Sequence, residues 1–142
     1  MKTKDTNPKA ALGAAKPGLS VVPCTALYAM AAAHMDGAYK YGAHNWRKDG
    51  VSARTYYDAA MRHLTAWWEG EDIAPDSGVD HLGHVMACMA ILIDAKVNGK
   101  LNDDRPLRPP AGWMAEHREA HKFITNGRTA VEPFTEKEHG GS

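Results

Sequence analysis

The chain has 142 residues, enough for one domain with a real core and short enough that a partner subunit could complete it. Seventeen basic residues balance seventeen acidic ones, so bulk charge gives no reason to expect a nucleic-acid or membrane partner. No apolar run approaches the roughly 18–20 residues of a membrane span, the first 24 residues lack the apolar core of a secretory signal, and the two cysteines, Cys24 and Cys88, form no motif; a soluble, reduced, cytoplasmic setting is expected.

Residues 1–24 mix Lys, Asp, Asn, Pro and Gly with small side chains and show no sustained period, which predicts a mobile arm that becomes extended near "GLSVVPC". From Thr25 the run "TALYAMAAAHMDGAYKYG" is rich in Ala and Met, with apolar positions at helical spacing, and it stops at Gly42. The connector "AHNWRKDG" leads to Ser52, an expected N-cap for a second helix reaching about Glu69. Two apolar stripes run along that helix, one through Tyr57, Met61, Leu64 and Trp68, the other through Tyr56, Ala60, His63 and Trp67. So broad an apolar face predicts burial against several neighbours. Gly70 ends it.

Ser77, with Asp80 three residues on, resembles a capping box and predicts that a third helix starts there and runs to about Val97, with Asn98-Gly99 as its stop. Pro106, Pro109 and Pro110 break the chain, and "GWMAEHREAHKF" predicts a short fourth helix before a polar tail. No strand pattern is visible. The expected architecture is all-α, a small helical bundle of three main helices plus a short C-terminal helix. It divides into an arm (1–24), a helical core carrying the site (25–100), and a connector, short helix and tail (101–142).

The chemistry concentrates between the second and third helices. "WWEGEDIAPDSGVDHLGH" holds Glu69, Glu71, Asp72, Asp76 and Asp80 with His81 and His84, and no Lys or Arg. Crowded like charges repel, and a cation is the usual remedy: carboxylates suit Mg²⁺ or Mn²⁺, imidazoles suit Zn²⁺. Glu71, Asp72, Asp76, His81 and His84 are therefore the candidate metal ligands. His63, near two turns before Glu69, is placed to face them. The competing reading has solvated acids, Asp80 capping a helix and hydrogen-bonded histidines. Cys88 continues the histidine stripe and reads as a small hydrophobe. A second segment, "KYGAHNWRKDG", joins Lys40 and Arg47 with Asn45 and Trp46, and Arg62 adds charge on the second helix; this combination suits phosphate binding and base stacking, or else an ordinary helix stop and turn.

Lys40-Tyr41-Gly42 with Asn45-Trp46, Arg62-His63-Leu64, Gly70-Glu71-Asp72 with Asp76-Ser77-Gly78, and His81-Leu82-x-His84 together resemble a family of phage and prophage proteins, dATP/dGTP diphosphohydrolase, N-terminal domain, over about residues 20–98. The resemblance implies a link to all-α, MazG-type pyrophosphohydrolases that use Mg²⁺ to cleave (d)NTPs to a monophosphate and pyrophosphate. Their paired ExxE and ExxD motifs have no counterpart here; His81 and His84 stand where an acidic pair would be expected. It further implies a metal-dependent purine dNTP hydrolase for phage nucleotide-pool remodelling. Glu71, Asp72 and His84 would be catalytic, Lys40, Asn45, Trp46, Arg47 and Arg62 would bind substrate, and a homo-oligomer is expected. The alternatives are a nucleotide-binding protein without turnover, or a helical interaction protein with a structural metal site.

Overall fold

A computed structural model describes residues 6–133 and 135; the first five residues of the expected arm and most of the expected polar tail lie outside the described residues. Helices dominate: α1 (Pro8–Gly13), α2 (Cys24–Tyr41), α3 (Trp46–Asp49), α4 (Ala53–Trp68), α5 (His81–Val97) and α6 (Trp113–Ala120), with 3-10 turns at Leu19–Val21 and Lys122–Ile124. The three long helices expected from the sequence are α2, α4 and α5. The chain to Arg105 makes one compact unit; the segment from Pro106 makes another, which holds α6 and the second 3-10 turn.

Helix α5 is the centre of the first unit, with α4 packed on one side and α2 on the other. Glycine sets the second contact. A Cβ at Gly83 would lie 2.5 Å from the carbonyl oxygen of Ala29, so only a bare α-carbon lets α5 approach the α2 backbone this closely. Gly83→Ala is expected to lower stability by about 1–2 kcal/mol, the overpacking cost exceeding the gain in helix propensity. A urea midpoint at or above wild type would show that the crossing yields.

Glycine also ends the long helices. Gly70 (φ 102°) and Gly99 (φ 67°) occupy the left-handed position after α4 and α5, and in each case the next amide returns to the last turn, Glu71 N–H to Ala66 O (3.0 Å) and Lys100 N–H to Ala95 O (2.8 Å). The second return leads the chain into a feature the sequence reading missed, a two-residue parallel pairing of β1 (Val51–Ser52) with β2 (Leu101–Asn102). Two residues are too few to show alternation.

Two local expectations need correction, and a third, the N-cap at Ser52, holds in position but without its side-chain bond. A short helix at Pro8–Gly13, started by Asn7 accepting the Lys9 N–H, and the turn at Leu19–Val21 stand within the segment read as an arm that becomes extended. Ser52 occupies the N-cap of α4 without bonding a backbone amide; the carboxylate of Asp104 accepts the Arg54 N–H instead (2.8 Å). Ser77 starts no helix: α5 begins four residues later, where Asp80 accepts the Leu82 N–H.

An aromatic clamp fastens α3 to α5. Asp94 accepts Trp46 Nε1–H (2.7 Å) and two guanidinium bonds from Arg47 (2.9 Å each). The hydrogen bonds from Arg47, then that from Trp46, hold the Asp94 carboxyl well below the usual carboxylate range. A carboxyl with a depressed folded-state value stabilises above its unfolded value of roughly 3.9, and this stabilisation is lost as pH falls below that point. The melting-temperature gap between wild type and Asp94→Asn is therefore expected to be widest at neutral pH and to narrow from about pH 4 downward. A constant gap across that range would mean that the carboxylate charge contributes nothing.

Candidate active site

The acidic loop between α4 and α5 is folded back on itself. Ile73 and Asp80 form an antiparallel bridge, Ala74 N–H donates to Val79 O (2.9 Å), and His81 N–H donates to Asp72 O (2.9 Å). The buried methyl of Ala74 anchors this turn. The closure carries Glu71 and Ser77 to the first turn of α5, where the two histidines emerge.

There the carboxylate of Glu71 meets His81 Nε2 at 2.7 Å, and His81 Nδ1 meets His63 Nδ1, from α4, at 2.8 Å. An ionised carboxylate only accepts, so His81 carries its proton on Nε2 and, as a neutral ring, offers a lone pair at Nδ1. His63 must then donate from Nδ1, which leaves its own Nε2 as a basic lone pair. That atom makes no hydrogen bond with another described residue and is not sealed from solvent. The His84 ring stacks on His63 with centroids 4.4 Å apart, and its Nε2 shares a 2.7 Å hydrogen bond with Ser77 Oγ.

His63 and His84 open onto a cleft of about 990 Å³ between α2, α4 and α5, large enough for a nucleotide. Asp36, Lys40 and Asp76 line it as well. Lys40 Nζ donates to Asp36 at 2.9 Å, which holds the ammonium above its ordinary range and keeps it charged. Burial, then the positive charge potential of His84 and His81, lowers the His63 pKa; burial lowers that of His84 also, against the opposing pull of Asp36 and Asp76. Both rings are neutral bases at pH 7.

The expected site residues thus separate into groups. Lys40, Asn45, Trp46, Arg47, Asp76 and His84 line the one cleft, whereas Glu71 and His81 stand behind it and reach it through His63. Asp72 contributes its backbone carbonyl, and Arg62 is exposed on α4. Trp46 is buried and spends its indole N–H on Asp94, so it serves as an anchor, and Arg47 is clasped to the same carboxylate. The ligand set Glu71, Asp72, Asp76, His81 and His84 does not fit a preassembled metal cage. Both ring nitrogens of His81 are engaged, and among the described residues no three His, Cys, Asp or Glu side chains are grouped to hold an ion. Asp36 escaped the sequence reading; its only signal was its place one turn before Lys40 on the same helix face.

Fold and site define a small all-α protein whose nucleotide-sized cleft is walled by a carboxylate–histidine–histidine chain. The sequence matches the family described as dATP/dGTP diphosphohydrolase, N-terminal, over residues 6–105, and the chain belongs to that family. The family name denotes a hydrolase acting on dATP and dGTP. No curated protein and no solved structure matches the chain. Among the described residues, no helix is long and apolar enough to cross a membrane.

Proposed function

We propose that the cleft binds a purine deoxynucleoside triphosphate and hydrolyses it to the monophosphate and pyrophosphate. The observation that carries this reading is the chain Glu71–His81–His63, which ends in an available basic nitrogen on the cleft wall. The Nε2 of His63 takes a proton from water as the water oxygen attacks the α-phosphorus. The bond from that phosphorus to the bridging oxygen breaks, and pyrophosphate leaves. Proton gain makes His63 cationic, and the donor–acceptor line through His81 to the Glu71 carboxylate stabilises that charge. Lys40 neutralises phosphate oxygens, and His84 with Ser77 supplies a polar edge beside the base. The divalent cation, Mg²⁺ or Mn²⁺, is counted with the substrate, since triphosphates enter as their metal complexes; of the three carboxylates that line the cleft, Asp94 is held by Trp46 and Arg47, which leaves Asp36 and Asp76.

The test is direct. The purified chain is incubated with dATP, dGTP, dCTP and dTTP in the presence of Mg²⁺ or Mn²⁺, and pyrophosphate release is followed. Release from the purine nucleotides supports the reading; no release from any pair removes it.

A further inference from the structure

The segment from Pro106 carries a second pair of histidines, which the hydrolysis does not use. His117 stands in the last turn of α6 and His121, four residues on, is its C-cap, so both side chains rise from one face of the helix. Their ring centroids lie 4.1 Å apart, with the planes tilted by 34°. His121 Nδ1 is 2.7 Å from the carbonyl oxygen of His117. A carbonyl only accepts, so Nδ1 carries the proton, and the neutral ring holds its lone pair on Nε2. Metal-ligating histidines are prepared in this way: one ring N–H donates to a backbone carbonyl, which fixes tautomer and orientation and leaves the other nitrogen to the ion. The His117 ring makes no hydrogen bond with another described residue and is exposed, so it is free to turn toward the same point. Two imidazoles on one tetrahedral Zn²⁺ need nitrogens about 3.3 Å apart, a separation that rings at this spacing reach by small rotations.

The helix supplies the reason for a clip. Helix α6 has eight residues and buries none of them. An isolated helix shorter than roughly 12–15 residues is marginal in water, so α6 gains from any bond that spans its turns. An ion bridging positions 117 and 121 ties its last turn to the start of the 3-10 turn at Lys122–Ile124 without requiring a core. The nearest ammonium, that of Lys122, is paired with Glu119 at 2.9 Å. Among the described residues no third His, Cys, Asp or Glu joins the pair, so water completes the coordination.

We propose that His117 and His121 form a transition-metal site, a two-histidine chelate for Zn²⁺ that closes the C-terminal turn of α6. Zn²⁺ is titrated into the full chain and followed by calorimetry, by the NMR signals of the imidazole rings and by circular dichroism. The ring signals of His117 and His121 are expected to shift together and the helical signal to rise, with EDTA reversing both. His117→Gln and His121→Gln are each expected to weaken this binding roughly tenfold or more, since a single ligand replaces a chelate. The cleft has histidines of its own, so a further variant separates position from number. His121→Gln combined with Lys122→His keeps the count of eight histidines but moves the second ring off the shared face, and it is expected to bind no better than His121→Gln alone. Ring signals of the pair that stay fixed, a helical signal that Zn²⁺ leaves unchanged, wild-type affinity in either single variant, or affinity restored in the displaced one overturns the proposal.

Discussion

Replacing His63 with alanine is expected to lower the rate of dATP or dGTP hydrolysis by roughly 10²–10⁴-fold while changing KM little, because the group removed acts on the proton and not on the phosphates. Glu71→Gln keeps an oxygen that can accept from His81 Nε2–H but removes the negative charge that favours a cationic histidine pair. A smaller loss, roughly 10–100-fold, is expected, as for other groups that act through a neighbour. The pH profile distinguishes this from a structural fault. Without the Glu71 charge the histidine pair holds its proton less tightly, so the acid limb should move to lower pH even as the maximum rate falls. His63→Ala at the full rate, or Glu71→Gln with an unmoved acid limb, would show that the chain of bonds conducts nothing.

The same histidines tie stability to acid. His63 and His84 are held below the ordinary value of 6.5 chiefly by burial. Below that pH the unfolded chain binds more protons than the folded one, so stability falls as pH drops from about 6.5. Kinetic profiles should therefore be read above the onset of acid unfolding.

Periodicity and punctuation made the helices legible. Apolar spacing located α2, α4 and α5, and the glycines at 42, 70 and 99 marked their ends because the chain there must leave right-handed space. The acidic stretch was also legible as one lip of the site. What pattern could not give was partnership across elements. His81 and His84 share a helical face, and counting along one helix suggested a ligand pair; the structure pairs His81 with Glu71 and with His63 from another helix. Ser77 illustrates the same limit. Its spacing to Asp80 resembles a capping box, yet the hairpin at Ile73 and Asp80 delays the helix and leaves the hydroxyl free for His84. Of the two apolar stripes on α4, the one through Tyr56, Ala60, His63 and Trp67 is the better covered and the one through Tyr57, Met61, Leu64 and Trp68 is exposed, a division that periodicity alone does not make because both stripes read alike.

Trp46→Ala is expected to destabilise the protein by about 3–5 kcal/mol, the range for removing a large aromatic from a packed site. At 8% exposure Trp46 is the best covered Trp, Tyr or Phe among the described residues, set against His34 and His44 and donating to Asp94 across 48 positions of sequence. Trp46→Phe separates its two contributions. The phenyl ring retains much of the apolar contact and loses only the N–H to Asp94, which Arg47 continues to bind, so a loss near 1 kcal/mol is expected. The base-stacking role suggested by "KYGAHNW" makes a different prediction for the same pair. An aromatic ring in contact with a purine would let Trp46→Phe keep nucleotide affinity and Trp46→Ala lose it, with stability barely moved. An anchor reverses that order: stability falls steeply in Trp46→Ala, while the nucleotide affinity of the still-folded fraction stays close to wild type. Chemical denaturation and nucleotide titration of both variants decide between the roles, and the buried ring with its occupied N–H favours the anchor.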